Sequence, residues 1–380
     1  MFANEKARGI AWQVLLVAAI GLVAWYLIGN TLQNLATRNI QVGFDFLDKE
    51  AGFEIAESLI AYDATRSYAR AFLVGLGNTL LVAACGIVLA TILGVLIGIG
   101  RLSKNWLLAT LSSAYVEVMR NVPLLLQMLV WYGLFTELLP SVRQSIDLGG
   151  LAFLNQRGLR FAWPMPHPAF TAAGWAFVAG IVAFLAWRRI ARRRQARTGV
   201  APALLWPGIA LIAGLPLLAW LAGGAPTALD VPRLAGFNFR GGVTLSPEFA
   251  ALLIALSTYT AAFIAETVRA GILSVDRGQT EASMALGLSP GQRLRLVTLP
   301  QALRVIIPPM TSQYLNLTKN SSLAVAIGYP DLVAVANTTM NQTGQAIEAI
   351  VILMAVYLTI SIVISLLMNW YNNRMRLVER

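Results

Sequence analysis

The chain has 380 residues, of which 57% are hydrophobic and only 12% charged, and its mean hydropathy is +0.66. A soluble domain carries roughly a quarter of charged residues, so this composition excludes an ordinary soluble protein and indicates a membrane protein. The net charge of +11 is expected to mark loops on one side of a membrane and does not indicate nucleic-acid binding. The single cysteine, Cys85, excludes an intrachain disulfide.

Apolar runs of about 20 residues recur along the chain, and each is long enough to cross roughly 30 Å of hydrocarbon. They predict an all-α polytopic membrane protein with about eight transmembrane helices. The seventh span differs from the others because its centre is polar. The predicted spans are residues 10–29, 72–99, 114–139, 170–187, 203–223, 249–268, 306–328 and 346–370.

The first span has a second interpretation, as a cleaved signal peptide, because Lys6 and Arg8 precede it. Its apolar stretch is long, ends at Trp25 and Tyr26, and lacks a convincing small-x-small cleavage site. We therefore expect the span to be retained. Its removal would leave the orientation of the other seven unchanged.

The distribution of Lys and Arg predicts that both termini are cytoplasmic. With that orientation, the inner segments hold 18 Lys and Arg residues and the outer segments hold 9. The inner segments are 1–10, 100–112, 188–200, 269–305 and 371–380; the outer segments are 30–71, 140–169, 224–247 and 329–345.

A run of arginines between Arg188 and Arg194 is the densest basic cluster of the chain. It is expected to fix the cytoplasmic side of the fourth span. The alternative is that it binds anionic lipid headgroups, which attract basic segments next to a membrane.

A polar segment, residues 276–305, separates the sixth and seventh spans. A first short helix is predicted from about Gln279 to Leu286, since Gly287 can adopt the left-handed conformation that ends a helix. Ala282 and Leu286 are spaced to share a small apolar face. Considered alone, these signals also fit an ordinary amphipathic connector.

A second short helix is predicted to start at Ser289. Ser289 can accept a hydrogen bond from the Gln292 amide while the Gln292 side chain reaches back, which makes a capping box, and Pro290 suits the first helical position. Pro300 is expected to end or kink this helix, because proline has no amide hydrogen to donate. The segment is thus predicted to be a helix-turn-helix in water.

Residues 281–300 read EASMALGLSPGQRLRLVTLP. This spacing resembles the pattern E-A-A-x3-G-x9-I-x-L-P in the cytoplasmic coupling loop of ATP-binding-cassette importer permeases, with Ser283 and Val297 in place of Ala and Ile. The resemblance implies that helices 279–298 dock on an ATPase subunit. The residues that match the pattern, and would couple to the ATPase, are Glu281, Ala282, Gly287, Leu299 and Pro300.

Other segments strengthen the resemblance and narrow it to the polar-amino-acid (histidine/glutamine permease-like) family. They are AETVRAG at 265–271, LPQALR at 299–304, LTKNSSL at 317–323 and YVEVMRNVPLLLQ at 115–127. The additional spans resemble those of the general L-amino-acid and glutamate/glutamine/aspartate/asparagine permeases of Gram-negative bacteria. The resemblance implies a five-helix permease core, three accessory helices and a bacterial cytoplasmic (inner) membrane.

The resemblance also divides the chain. Residues 1–69 form an N-terminal accessory span and outer segment, and 70–139 form the first part of the core. Residues 140–246 are a two-span insert, and 247–380 complete the core with the coupling loop 276–305.

The chain contains no G-x-x-x-x-G-K-[ST] sequence, the phosphate-binding loop of a P-loop ATPase. The resemblance therefore implies a transport subunit that is not itself an enzyme and binds no cofactor. Its implied partners are two copies of an ATPase that binds ATP-Mg, a second, heteromeric permease subunit, a periplasmic amino-acid-binding protein and membrane lipid, but no nucleic acid. The implied cargo is polar L-amino acids.

Ionisable residues inside a span tend to face the protein interior or water. Lys319 lies near the middle of the seventh span, and Gln313, Asn316 and Asn320 form a polar stripe beside it at helical spacing. These four residues are predicted to line the substrate path, where a lysine can pair with a carboxylate. The alternatives are that Lys319 extends toward the membrane surface or makes a structural contact.

Two pairs of opposite charges are spaced three residues apart, Glu117 with Arg120 and Glu266 with Arg269. Each is predicted to form an intrahelical ion pair near the inner membrane interface, with a gating contact to a partner permease as the alternative. Pro123 is predicted to kink the third span.

The single histidine, His167, lies in a Pro-rich outer segment, and no Cys/His cluster accompanies it. It is predicted to be a loop residue and not a metal ligand. Two other functions stay open at this point: a secondary transporter or channel that works alone, and a membrane-anchored assembly protein that transports nothing.

Overall fold

The computed structural model describes residues 5–37, 43–200 and 202–375. Parts of both terminal segments used to predict orientation, 1–4 and 376–380, lie outside the described residues. The chain forms two compact units. We call Met1–Leu134 with Glu248–Arg380 the core unit, and Phe135–Pro247 the insert unit.

Helices dominate both units. In chain order they are α1 (Glu5–Thr37), α2 (Tyr68–Gly100), α3 (Trp106–Asn121), α4 (Leu124–Gly133), α5 (Pro168–Thr198), α6 (Leu205–Ile209), α7 (Leu215–Ala222), α8 (Pro247–Leu273), α9 (Arg277–Ala285), α10 (Pro290–Arg293), α11 (Leu299–Asn320), α12 (Leu332–Thr343) and α13 (Ala346–Met375).

Six helices of the described chain are long and apolar enough to cross a membrane, and two bent pairs raise the number to eight if each pair is one span. The predicted helical, polytopic membrane fold is confirmed. The six are Gly9–Thr31, Tyr68–Gly100, Pro168–Thr198, Leu205–Ala222, Pro247–Leu273 and Ala346–Asn373.

The third predicted span, 114–139, is not one straight helix. It bends by 103° between α3 and α4, at the predicted proline. Val122 is extended there (ψ 127°), because a residue before proline is disfavoured in the helical region. The Gln127 side chain donates to the Met119 and Val122 carbonyls, at 3.0 and 2.9 Å, and so satisfies acceptors that the break leaves free.

The seventh predicted span, 306–328, also breaks. After α11 the helix tightens into a 3-10 turn, Ser321–Ile327, and Gly328 ends it in the left-handed conformation (φ +79°). Asp331 then caps α12, which is bent by 52° from the preceding helix. Pro330 lies in this connection, where no helical amide is needed.

Glycines let the core helices pack at close range. A Cβ at Gly94 of α2 would lie 2.6 Å from the Ile264 Cβ of α8, and one at Gly98 would lie 2.7 Å from the Ala265 carbonyl oxygen. Such small-residue contacts replace the hydrophobic driving force that is missing between helices in lipid. α2 and α8 therefore form a closely packed pair.

The segment between α1 and α2 belongs to the core unit where it is described. Phe46 and Ala51 are buried with Tyr68, Leu332 and Val335. The side-chain amide of Asn78, on α2, donates to the Glu57 backbone carbonyl at 2.8 Å. The described part of the segment between α1 and α2 is thus packed against the ends of α2 and α12.

The insert unit contains a helical hairpin. A Cβ at Gly180 of α5 would collide with the Leu211 carbonyl oxygen, and the Trp187 indole donates to the Ala203 carbonyl at 3.4 Å. α5 therefore runs antiparallel to residues 205–222, in which a π turn, Ala210–Gly214, joins α6 to α7.

Eight short strands, which the sequence did not predict, occupy the rest of the insert unit. β1, β2, β3 and β8 form an antiparallel sheet, and β4–β5 and β6–β7 are two-stranded ribbons. The glycine pairs at 149–150 and 241–242 have positive φ and make turns beside them. The strands are β1 (Ile146–Asp147), β2 (Ala152–Asn155), β3 (Gly158–Phe161), β4 (Trp163–Pro164), β5 (Leu229–Asp230), β6 (Arg233–Ala235), β7 (Asn238–Arg240) and β8 (Val243–Leu245).

Candidate functional site

The segment between α8 and α11 forms an elbow, which we define as residues 276–298. Its first arm is α9, where the Asp276 side chain accepts from the Gly278 amide at 2.6 Å. The arm ends as predicted, with Gly287 in the left-handed region at φ +73°. The Leu288 amide donates to the Ser283 carbonyl at 3.1 Å and closes the helix end.

The second arm starts with the predicted capping box. The Ser289 amide donates to Gln292 Oε1 at 2.9 Å, and the Gln292 amide donates to Ser289 Oγ at 3.4 Å. Pro290 is at the first helical position. The elbow is therefore two defined helical arms joined by one glycine turn.

Pro300 does not end the second helix, so that part of the prediction is wrong. A π turn, Leu294–Thr298, joins α10 to α11 without a break, and the Leu299 amide bonds to the Leu294 carbonyl five residues back. Pro300 falls within the first two residues of α11 and lacks only an amide hydrogen. The π turn supplies the altered hydrogen-bond pattern next to it. The second arm and α11 are consequently one continuous helix.

The elbow exposes apolar side chains to solvent. Leu286 is 80% exposed at the tip of the first arm and Met284 is 51% exposed. Leu294 and Leu296 are exposed on the second arm. Single exposed apolar residues are common, whereas these four lie together on a short polar connector.

The five residues predicted to couple to an ATPase do not form one contiguous surface. Glu281 and Ala282 are exposed on the first arm, and Gly287 is the turn. Leu299 is 43% exposed and Pro300 is half-buried, both at the start of α11. Among the described residues, no ion pair involves Glu281.

An ion-pair network joins the helices that lead to the elbow. Glu266 and Arg269 on α8 form the predicted pair, with the Arg269 guanidinium 3.0 Å from Glu266 Oε1. Arg101, at the end of α2, binds the other oxygen of the same carboxylate. We call this network the clamp. Arg101 was missed, because its partner is 165 residues away in the chain and spacing alone cannot connect them.

The second predicted pair, Glu117 with Arg120, does not form. The Glu117 carboxylate accepts a hydrogen bond from the side-chain amide of Asn121 at 3.2 Å. The Arg120 guanidinium lies over the Phe263 ring of α8, 5.2 Å from its centroid. The cation–π contact competes with the ion pair for the arginine, because α3 packs beside an aromatic residue that sequence spacing does not reveal.

The polar residues of α11 differ in their exposure. Ser312, Asn316 and Lys319 are exposed, whereas Gln313 and Asn320 are half-buried at the edge of the same stripe. The next side of α11 is packed, with Ile306 and Leu317 buried. Ser312 is a member of the stripe that the sequence did not single out.

A buried carboxyl group at the break after α11 was also missed. Asp331 is fully buried, and its Oδ1 accepts from the Ala334 amide at 2.8 Å at the start of α12. Its Oδ2 has no hydrogen-bond partner among the described residues. The only sequence signal is an aspartate after a proline and before an apolar helix, which is typical of a helix cap.

Among the described residues, no group of three or more His, Cys, Asp and Glu side chains is arranged to hold a metal ion. His167 lies where the insert's loop meets α5, and its Nδ1 accepts from the Ala169 amide at 3.1 Å. It caps the helix, a role that its place in the loop did not reveal.

Comparisons with known proteins match most of the chain. Residues 86–377 match the family described as "binding-protein-dependent transport system inner membrane component". The general L-amino acid transport system permease protein AapQ of Rhizobium johnstonii is 53% identical over 99% of this chain and 94% of its own length.

Two further matches are as follows. The glutamate/glutamine/aspartate/asparagine transport system permease protein BztB of Rhodobacter capsulatus is 43% identical over 99% of this chain and 96% of its own length. A crystal structure of an amino acid ABC transporter with histidines matches with a TM-score of 0.47 and 20% identity, covering 81% of this chain and 95% of that chain.

Proposed function

This chain belongs to the family of binding-protein-dependent transport system inner membrane components, and from that premise we propose that it is the permease subunit of an ATP-driven importer of polar L-amino acids. The observation that carries the proposal is the elbow, an ordered pair of helical arms with exposed apolar residues between two membrane spans. A chain without a P-loop sequence needs a separate ATPase for such coupling.

The elbow is well placed to transmit movement. Its first arm follows α8, which the clamp and the glycine contacts tie to α2. Its second arm is continuous with α11. A displacement of the elbow by two nucleotide-binding subunits would therefore move two groups of spans as rigid bodies, the kind of motion that opens and closes a transport path.

The polar face of α11 supports a path at an interface with a second permease subunit, which we propose to be a related, different chain. Ser312, Asn316 and Lys319 are exposed on the single chain, and polar groups exposed to lipid at this position would be costly. A partner permease would enclose them. Lys319 would then meet the carboxylate of an amino acid.

We further propose that the importer lies in a bacterial cytoplasmic membrane with both termini of this chain inside, as the Lys and Arg bias favours. A periplasmic binding protein would deliver the amino acid. The names of the relatives, which refer to general L-amino acids and to glutamate, glutamine, aspartate and asparagine, support polar cargo.

The coupling role is tested by co-purifying the ATPase with variants of this chain and measuring ATP-dependent uptake in proteoliposomes. Leu286→Glu adds a charge at the exposed tip of the elbow, and should release the ATPase and abolish uptake; Glu281→Lys and Gly287→Pro should also abolish uptake. The matched control is Leu148→Glu, an exposed leucine (51%) in the insert unit. Wild-type uptake by all three elbow variants would overturn the coupling role.

The path role of Lys319 has its own test. Lys319→Ala should raise the KM for an acidic or amide amino acid while the amount of assembled complex stays unchanged. Lys104→Ala, which removes an exposed lysine from the connection between α2 and α3, is the control. Unchanged kinetics and selectivity in Lys319→Ala would instead indicate that this lysine extends toward the membrane surface or has a structural role.

The same proteoliposomes separate the two other functions. A secondary transporter would carry amino acids along an ion gradient without ATP, ATPase or binding protein. An assembly protein would give no flux in any combination. Uptake that requires all three additions supports the importer.

A further inference from the structure

The end of α5 carries an unusual concentration of unbalanced positive charge. Residues 148–229 contain eight arginines and no Asp or Glu. Six of the arginines lie on the last 11 residues of α5, at positions 188, 189, 192, 193, 194 and 197. We call residues 188–198 the basic stub.

The basic stub extends beyond what is needed to cross a membrane. α5 has 31 residues, which at about 1.5 Å per residue gives roughly 46 Å. The hydrocarbon core is only about 30 Å thick, a length reached near Trp187. Trp187 and the nearby, 73% exposed Trp206 are aromatic residues of the kind that mark a membrane interface. The stub therefore begins at the headgroup layer.

The arginines of the stub have no anionic partner in the chain's described part. Arg189, Arg192, Arg193, Arg194 and Arg197 are exposed, and the ion pairs found among the described residues include none of them. If the arginines served only to orient α5 during membrane insertion, positive charge would be required at that stage. It would not have to remain on an ordered helix afterwards.

The stub is helical despite its own charge. Arg189, Arg193 and Arg197 are spaced four apart, and like charges at this spacing destabilise a helix. Even so, the helix continues to Thr198, and the Gly199 amide donates to the Gln195 carbonyl at 2.9 Å. An external layer of anions would remove this repulsion and favour the helix.

We propose that the basic stub is a binding site for anionic phospholipids at the membrane surface from which α5 emerges. A guanidinium presents a planar fork of donors that suits phosphate oxygens, so each arginine can hold a headgroup and not merely attract it. Basic clusters that directly follow a span are attracted to anionic lipid over about one Debye length, which covers the first turns of the stub. The proposal does not depend on the transport function.

The test measures lipid binding to the purified full-length chain by native mass spectrometry, with phosphatidylglycerol and phosphatidylcholine titrated separately. Replacing Arg192, Arg193 and Arg194 by Gln should weaken phosphatidylglycerol binding at least tenfold and leave phosphatidylcholine binding unchanged. Arg188 and Arg189 are kept so that α5 still inserts correctly, which labelling of Thr198→Cys in a Cys85→Ser background verifies.

Two further variants make the result specific. The matched control replaces Arg157, Arg233 and Arg240 by Gln, which removes the same charge from exposed loop and strand positions of the insert unit and should leave phosphatidylglycerol binding unchanged. Replacing Arg192, Arg193 and Arg194 by Lys keeps the charge but removes the guanidinium fork, and should weaken phosphatidylglycerol binding less than the Gln variant does.

Three outcomes would overturn the proposal. The first is equal phosphatidylglycerol affinity in the Gln variant and the unaltered chain. The second is an equal loss in the control variant, which would show a nonspecific charge effect. The third is loss of a co-purifying protein partner from the Gln variant with lipid binding unchanged, which would assign the stub to an acidic protein surface instead.

Discussion

α8 of the core unit and the helical hairpin of the insert unit use apolar surface in different ways. In α8 of the core unit, 61% of the most apolar stretch is buried inside the chain, against 11% in α5 and 6% in residues 205–222 of the insert unit. α8 nevertheless has the lowest mean hydropathy of the three. Hydropathy therefore identifies a membrane-spanning helix but does not show whether its neighbours are protein or lipid.

Contacts made by small residues explain the difference in buried fraction better than hydropathy does. α2 meets α8 through Gly94 and Gly98 and meets α12 through Gly75, so glycines admit neighbours on more than one side. The hairpin of the insert unit has one such seam, around Gly180, and its other surfaces are exposed. We expect substitutions to be costly at the glycine contacts of α2 and tolerated on the exposed faces of the insert unit.

The largest effect is expected for Gly94→Leu. Its side chain would collide with Ile264 and with the Ala261 carbonyl; overpacking destabilises a protein by about 1–3 kcal/mol, and the backbone contact places this site at the upper end. Gly174→Leu is the matched control on α5, since nothing lies within 4 Å of a Cβ there. Thermal unfolding of the purified chain measures both. A melting temperature lowered equally by the two variants would contradict the comparison.

A second prediction concerns charges. In a double-mutant cycle, Arg101→Gln and Glu266→Gln should show a coupling of roughly 1.5–3 kcal/mol, because the arginine side chain is only 16% exposed and the bond is to a charged group. Arg66→Gln and Asp63→Asn remove an exposed ion pair and are expected to show no measurable coupling. Additive effects at Arg101 and Glu266 would show that the clamp does not join α2 to α8.

The smallest effects are expected at two helix caps, one in each unit. Ser289→Ala removes the capping box of the elbow and His167→Ala removes the cap of α5, each at a cost of about 1 kcal/mol. The loss at Ser289 should appear as faster hydrogen exchange in the short α10, whereas the much longer α5 should show it only in its first turn. If hydrogen exchange in both variants equals that of the unaltered chain, neither cap contributes to stability.

Much of the fold follows from sequence because the rules involved are local. The spans follow from their length and hydropathy, and the turn at Gly287 and the capping box at Ser289 follow from residues three or four positions apart. Both breaks lie at or beside a proline, but only the one at Pro123 was predicted.

The features that the sequence did not reveal depend on distant partners. Arg101 meets Glu266, and Arg120 turns to Phe263, only after α2, α3 and α8 have packed. The strands of the insert unit are two to four residues long and are stabilised by their pairing, so they leave little periodicity to detect. The role of Gln127 depends on carbonyl groups that become free only once the helix has broken.

The π turn at 294–298 has a geometric consequence for the elbow. A π turn closes its hydrogen bond over five residues and an α turn over four, so this turn takes up one extra residue while the helix axis continues. Deleting Thr298 would restore a regular helix and leave the direction of Leu286 and Glu281 nearly unchanged. Deleting a residue from the regular part of α11 would instead rotate both side chains by about 100° around the helix axis. Distances between spin labels on the first arm and on α8 would distinguish the two deletions.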